Sequence, residues 1–300
     1  DRDGGIVFST YQSSLLIEEA QKSSDIPEFD IAFADEAHRC AGKVSAAFGG
    51  ILDSQKIRAE KRLFMTATPR ILSIKNKGKA ESNDIEIASM DDEGQFGKTL
   101  HKLNFSEAIS KEILTDYRVI VVGVDDLEIQ AKIVKRTLTK VGGDFENLAN
   151  HISLAKSIRK YKLKRVITFH SKVEGAKKFS EEHPEVVEWL APTSTEDAKI
   201  KSGYVSGAMS SLERNKKIKQ LQKINEDELG FLSNARCLSE GVDIPTLDGI
   251  AFIDPRKSPV DIIQAVGRAI RKSESKSYGY IILPVYLSDT EYVDKEILLS

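Results

Sequence analysis

Short apolar runs recur along the chain, each followed by a polar stretch long enough to form a helix. The runs are 5–9, 31–34, 62–66, 117–124, 165–169, 203–207, 230–234, 249–254 and 278–285. Strands buried on both faces read this way, and helix-length connections let such strands lie parallel. The predicted fold class is therefore α/β, with parallel sheets covered by helices. A chain of 300 residues, 40% of them hydrophobic, has apolar material for two such domains. The division is expected near residue 116, giving domains 1–116 and 117–300. Within the first, 74–84 reads as a polar loop and 100–105 (LHKLNF) as a closing strand. A helix over 106–114 capped by Ser106 follows, and helical segments are expected from about 127 to 161.

No run approaches the ~18 apolar residues that span a bilayer, so no membrane partner is expected. The N-terminus carries no signal-peptide pattern. Cys40 and Cys237 are too few for a disulfide framework or a metal cluster, so both read as small buried residues in a cytoplasmic setting. The formal net charge of −2 supplies no global field for a polyanion, so any nucleic-acid binding must rest on local contacts. Two basic clusters, 159–165 (RKYKLKR) and 214–219 (RNKKIK), each read alone as solvated helix faces or ends.

The chemistry concentrates at strand ends. In FDIAFADEAH a buried strand ends at Asp35, at the carboxyl edge where open α/β sheets bind ligands. An aspartate there can hold Mg²⁺ through water, and the next carboxylate, Glu36, can orient or deprotonate an attacking water. A chance DEAH in a chain of this length has odds of about two in a thousand from average residue usage. LFMTATPR is a second strand, ending in Thr66, Thr68 and a proline; alone it reads as a capped strand end. DIIQAVGRAIRK reads as a helix bearing Gln264, Gly267, Arg268 and Arg271, with both arginines on one face. Paired guanidinium forks suit a polyphosphate, although any such pair alone reads as surface arginines. In LSEGVDIPTLDGIAFIDP, Gly241, Asp243 and Pro245 form a tight turn before a strand.

Taken in order, FSTYQS, ADEAH, TATPR, ITFHS, ARCLSEGVDIP and QAVGRAIR resemble motifs Ib, II, III, IV, V and VI of superfamily 2 helicases and translocases, from Val7 to Lys272. MDDEGQFG…LNFSEAISKEILTDYRV and FIDPRKSPVDIIQAVGR are more similar to the helicase-like motors of restriction–modification enzymes, including the single-polypeptide kind. The resemblance implies two RecA-like domains that clamp ATP and run a nucleic acid, DNA before RNA, across both. ATP and Mg²⁺ are the implied cofactors. Nuclease and methyltransferase domains of the same system are implied further partners. Asp35 would be the Mg²⁺ residue and Glu36 the catalytic base. His38, Thr66 and Thr68 would couple nucleotide state to nucleic acid. Gly241 and Asp243 would approach the nucleotide, and Gln264, Arg268 and Arg271 would face its phosphates, Arg271 as arginine finger. Thr10 and Asn234 would touch the nucleic-acid backbone.

The family's GxxxxGK[ST] phosphate loop must precede the DEAH strand. The first domain is therefore expected to lack its N-terminal start, and residues 1–300 alone to bind ATP weakly without hydrolysing it. GQFGKT, 94–99, is no substitute: the loop needs glycine where Asp92 stands, and 91–93 place negative charge where phosphates must sit. It reads as a loop. Two other readings stay open, an RNA helicase and a catalytically silent nucleic-acid-binding module. His101, His151, His170 and His183 show no metal spacing. Trp189 reads as packing.

Overall fold

The computed structural model describes residues 4–23, 25–43, 46–73, 87–125, 145–190, 199–235, 237, 244–256, 258–274 and 276–287. The chain divides into two compact units, Asp1–Lys102 and Leu103–Ser300. The tract expected as a loop at 74–84 and the first part of the helical stretch, 127–144, lie outside the described residues. Among the described residues no helix is long and apolar enough to cross a membrane.

The first unit runs α1 (Ser14–Lys22), β1 (Phe29–Ala34), β2 (Gly42–Lys43), α2 (Ala46–Gly49), β3 (Ala59–Phe64), β4 (Ile87–Ala88) and α3 (Glu93–Phe96). β1 and β3 pair in parallel with Ala34 opposite Phe64, and β2 pairs antiparallel with β4. Cys40, Ala41, Ala88 and Phe96 form a small buried cluster under Phe64 and Tyr11. The strand expected at 5–9 is not formed: residues 4–10 pair with no described strand, and Ile6 and Phe8 stand 83% and 92% exposed. A strand needs a neighbour for its backbone groups, which an apolar pattern alone does not provide.

GQFGKT, expected as a loop, begins in the one-turn helix α3. The Asp92 side chain caps it, accepting from the Gly94 N–H at 2.9 Å. A carboxylate thus occupies the donor that a phosphate would need. The closing strand expected at 100–105 is absent, since 97–104 has no regular structure.

The second unit opens with α4 (Phe105–Ser110) and β5 (Asp116–Asp125). The cap of α4 is Asn104, not Ser106: its Oδ1 accepts from the Glu107 N–H at 2.8 Å, and the helix stops at Ser110 instead of Leu114. Phe105 and Leu114 pack on the second unit's core, so this segment belongs there rather than with the DEAH strand. There follow α5 (Phe145–Tyr161), β6 (Arg165–His170), α6 (Val173–Leu190), β7 (Lys199–Ser206), α7 (Ser211–Gln222), β8 (Glu228–Ala235), β9 (Gly249–Phe252), α8 (Pro259–Ala269) and β10 (Tyr278–Leu287).

The six strands form one parallel sheet in the order β5-β10-β9-β6-β8-β7. Side chains alternate across it. Val166, Phe231, Ala251 and Ile282 pack against Leu154 and Ile158 of α5 and Phe179 of α6. Their neighbours Ile167, Leu232, Ile250 and Ile281 pack against Ile218 and Leu221 of α7 and Val266 and Ala269 of α8. Both faces are covered, which is why these strands read as unbroken apolar runs. The result is the RecA-like parallel α/β architecture expected. Trp189 packs beside Val186 and Ile152, as its setting in VVEWLAP suggested.

Three histidines that look scattered in sequence meet in this unit. His151 and His183 are fully buried with Nδ1 atoms 3.1 Å apart, so one ring donates and the other accepts. Phe179 stacks on His151 at 4.0 Å and lies 5.0 Å from His170 and from His183. Thr168 Oγ1 donates to Ser233 Oγ, so His170 Nε2, 2.9 Å from that hydroxyl, is the protonated nitrogen. Burial pushes all three pKa values down, that of His170 to about 4. The facing charges are Glu182, 3.5 Å from His151 Nε2, with Lys178 beside it, and Asp254 and Arg256 near His170. The folded rings are neutral, whereas the unfolded ones take a proton below ~6.5. Stability is thus fully present above pH ~6.5 and is lost as pH falls towards 4, by up to roughly 3 kcal/mol from His170 alone. Urea denaturation at pH 7.5, 6 and 5 is expected to show a falling midpoint, less steep in His170→Gln. Parallel pH profiles for the two proteins would mean that His170 is not held neutral.

Candidate active site

In the first unit the ends of β1 and β3 are locked together past the last paired residues. Met65 N–H donates to the Ala34 carbonyl at 2.9 Å, and Ala37 N–H donates to the Met65 carbonyl at 2.8 Å. Asp35 is left at the carboxyl edge, exposed, its Oδ1 accepting from the Glu36 N–H at 2.9 Å. Glu36 sits in the left-handed region (φ 48°, ψ 44°) as the residue before a one-turn helix, Ala37–Cys40. A non-glycine residue held there stores of order 1–3 kcal/mol, and such strain gathers at functional sites. The bend turns the chain so that His38 Nδ1 lies 3.3 Å from Glu36 Oε2 and 3.0 Å from Thr66 Oγ1. Thr66 Oγ1 also accepts from the Thr68 N–H at 3.1 Å. Thr68 Oγ1 is buried with no hydrogen-bond partner among the described residues. Asp35, Glu36, His38, Thr66 and Thr68 are therefore brought into one constellation.

Thr10 stays exposed, its hydroxyl donating to Ser13 Oγ at 3.2 Å. Its neighbour Tyr11 reaches the site instead. The Tyr11 hydroxyl donates to the Asp35 carbonyl at 2.5 Å, and burial, then the adjacent Cys40, raises its pKa. The sequence marks this tyrosine only by its place in FSTYQS. Arg70 is a second such residue. Its Nη1 donates to the Ala41 carbonyl at 2.9 Å over Gly42, whose φ of 110° and lack of a Cβ make room for the guanidinium. His38, Arg39, Phe48 and Arg70 line a shallow cavity of about 310 Å³.

In the second unit α8 starts at a Ser258 cap with Pro259 in its first turn and carries Gln264, half-buried, and Arg268, 7% exposed. The two arginines do not share a helix face as expected. The helix ends at Ala269, and Arg271 lies beyond its C-cap in an antiparallel bridge with Leu114. Three contacts impose the ending. The Thr115 N–H donates to the Ile270 carbonyl at 2.8 Å, and Lys276 Nζ to the Ala269 and Leu247 carbonyls at 2.8 and 2.7 Å. Gly279 packs so tightly that a Cβ would stand 2.4 Å from the Ala269 oxygen. Burial lowers the Lys276 pKa to about 8.

Asn234, expected at a nucleic-acid backbone, is 1% exposed, and its Oδ1 accepts from the Cys237 N–H at 3.2 Å. The side chain shapes the turn after β8 and is not presented to solvent. Gly241 and Asp243 lie outside the described residues. Asp254 accepts from the Ser171 N–H at 2.5 Å and so fixes the exit of β6.

A strand-end carboxylate pair tied to a threonine-rich strand end, and a RecA-like unit with an arginine segment after its last helix, define a superfamily 2 helicase-type motor core. Residues 145–273 match the helicase conserved C-terminal domain, and residues 1–71 match the Type III restriction enzyme, res subunit. The two matches support a superfamily 2 helicase that resembles the motors of restriction–modification enzymes. It is 35% identical to the ATP-dependent Type ISP restriction-modification enzyme LlaBIII bound to DNA, with a TM-score of 0.77, covering 95% of this chain and 20% of that one. A nuclease-deletion mutant of the Type ISP enzyme LlaGI, in complex with a DNA substrate mimic, gives 32% and 0.55, covering 94% and 17%. The probable helicase A859L of African swine fever virus (isolate Tick/South Africa/Pretoriuskop Pr4/1996) is 27% identical over 287 residues, 93% of this chain and 28% of that protein. The chain thus spans less than a third of each of these three relatives.

Proposed function

We propose that this chain is the motor part of an ATP-dependent helicase or translocase acting on DNA, in restriction–modification or a related DNA-processing system. One observation carries the reading: His38 Nδ1 bonds Thr66 Oγ1 at the carboxyl ends of two adjacent parallel strands. That contact ties the carboxylates of the DEAH box to the TATPR segment, the link by which nucleotide state is passed on. DNA is favoured over RNA because two similar structures are described as bound to DNA or to a DNA mimic.

The donor set suits Mg²⁺. Asp35 offers one exposed hard oxygen donor, and among the described residues no three metal-binding side chains converge into a cage. A small cation that keeps most of its waters and is shared with phosphates fits such a site. Bound there, it would neutralise charge on the triphosphate of ATP. Asp35 would hold it through water, and Glu36 would orient the attacking water and take its proton. His38, Thr66 and Thr68 relay the change. On the resemblance alone, Gly241 and Asp243 would approach the nucleotide, and Gln264, Arg268 and Arg271 would meet its phosphates. Thr10 lies on the nucleic-acid path. Nuclease and methyltransferase domains of the same system are the proposed partners, and the two free cysteines agree with a cytoplasmic setting.

The test is steady-state ATP hydrolysis by the full-length protein with no nucleic acid, with duplex DNA and with single-stranded RNA. Stimulation by duplex DNA is expected. Stimulation by RNA alone would make it an RNA helicase. No hydrolysis under any condition would leave a silent binding module.

A further inference from the structure

Among the described residues β7 is the edge strand at one end of the second unit's sheet, and α7 runs beside it. Along one side of α7 and its C-cap stand Leu212, Asn215, Lys216, Lys219 and Lys223, all exposed, with the three lysines spaced three and four apart. Together with Lys201 of β7 they line a groove of about 610 Å³ to which no carboxylate contributes. Lys201 is paired with Glu228 at 2.8 Å. No salt bridge among the described residues engages Lys216, Lys219 or Lys223.

We propose that this groove is a second contact for a nucleic-acid phosphate backbone, apart from the strand-end site. The inference rests on the DNA-motor reading and deepens it. α7 returns from the carboxyl end of β7, so its first turn lies at the edge of the sheet where parallel α/β folds bind ligands. The groove leads away from that edge along the helix. From Leu212 to Lys223 the helix rises ~16 Å, which spans four or five phosphates of one strand at ~3.4 Å each. The three lysines repeat at about one per helical turn, and their aliphatic stems give the groove apolar walls under a charged rim. A polyanion of regular spacing fits such a row.

An acidic polypeptide adding to the β7 edge is the other occupant of matching charge, and it fits less well. Leu212, 81% exposed, is the one apolar side chain of the lining, so a peptide has no pocket for side chains of its own. Lys199 and Lys201 on the edge strand oppose strand addition. In a chain of net charge −2, a row of cations without carboxylates is also not simply the average surface.

The experiment is a fluorescence-anisotropy titration of the full-length protein with a labelled 30-base-pair duplex at 50, 100 and 200 mM salt. It compares wild type with Lys216→Gln/Lys219→Gln/Lys223→Gln. A control removes equal charge at exposed positions outside the groove, Lys160→Gln/Lys162→Gln/Lys177→Gln. Each lost phosphate contact lowers the log–log salt slope by ~0.9, so the groove variant should be shallower by about 2.7. From 50 to 200 mM salt the wild type should then lose about 40-fold more affinity than the variant, with the control close to wild type. ATP hydrolysis at saturating DNA should be unchanged in the groove variant. Equal slopes in the groove variant and the control would overturn the proposal. So would loss of binding to a polyglutamate peptide in the groove variant with its DNA slope intact. No DNA binding by the wild type would instead sink the DNA-motor reading itself.

Discussion

Alanine at Arg271 is expected to lower ATP turnover by about 10³–10⁵-fold, the range known for arginine fingers, with nucleotide affinity falling far less. The asymmetry follows from where charge develops. A guanidinium that meets charge present only in the transition state changes kcat, whereas one that meets the ground-state triphosphate changes affinity. On the proposed reading Arg271 has the first role, and its backbone is held in place. Its backbone is bridged to Leu114, and the preceding carbonyls of Ile270 and Ala269 accept from Thr115 and Lys276. Ordering entropy is then met by folding and not at the moment of reaction. Arg271→Lys should recover little, because an ammonium cannot reproduce the planar fork. Arg268 is a different case: it is nearly buried, so Arg268→Ala should also lower stability. Separate measurement of kcat and of ATP binding by calorimetry decides the matter. Weakened binding with intact turnover would make Arg271 a clamp.

That Arg271 stands outside its helix could not be read from QAVGRAIRK, whose pattern continues helically past Ala269. The contacts that stop the helix come from Thr115, distant in sequence, and from Lys276 and Gly279 after it. The strands of the second unit were legible for the opposite reason. In Val166-Ile167 or Ile281-Ile282 each neighbour is buried against a different helix layer, so the whole run is apolar and needs no distant information. The same logic misleads at Ile6–Phe8, where the pattern is apolar but no described strand runs alongside. Caps are local yet ambiguous: Asn104 and Ser106 both suit, and the Asn104 bond to Glu107 decides. At the candidate site DEAH and TATPR were legible as strand ends. The bond joining them needed the parallel register of β1 and β3, and Tyr11 needed the fold of the chain before β1. The His151–His183 contact joins two helices, and no metal-type spacing announces it.

The second large effect is expected at Glu36. In the full-length protein Glu36→Gln should keep ATP binding and lose turnover by ~10²–10⁴-fold, the usual contribution of a general base. The amide has the shape of the carboxylate but cannot accept the water's proton. The geometry adds a second consequence. His38 Nδ1 is 3.3 Å from Glu36 Oε2 and bonds Thr66 Oγ1 at 3.0 Å, so the carboxylate side chain packs beside the ring that reaches the TATPR segment. Glutamine keeps the side chain's bulk beside that ring, whereas alanine leaves a gap there. Glu36→Gln should therefore bind DNA with the wild-type response to ATP while failing to hydrolyse it, and Glu36→Ala should lose both. The left-handed backbone at Glu36 supplies the control, because Glu36→Gly relieves the strain and removes the base together. A Glu36→Gly protein more stable than wild type and without turnover would show strain retained for the sake of chemistry. Rates in Glu36→Gln equal to wild type would remove the proton-accepting role, and Asp35, one residue away at the same strand end, would be the carboxylate to test next.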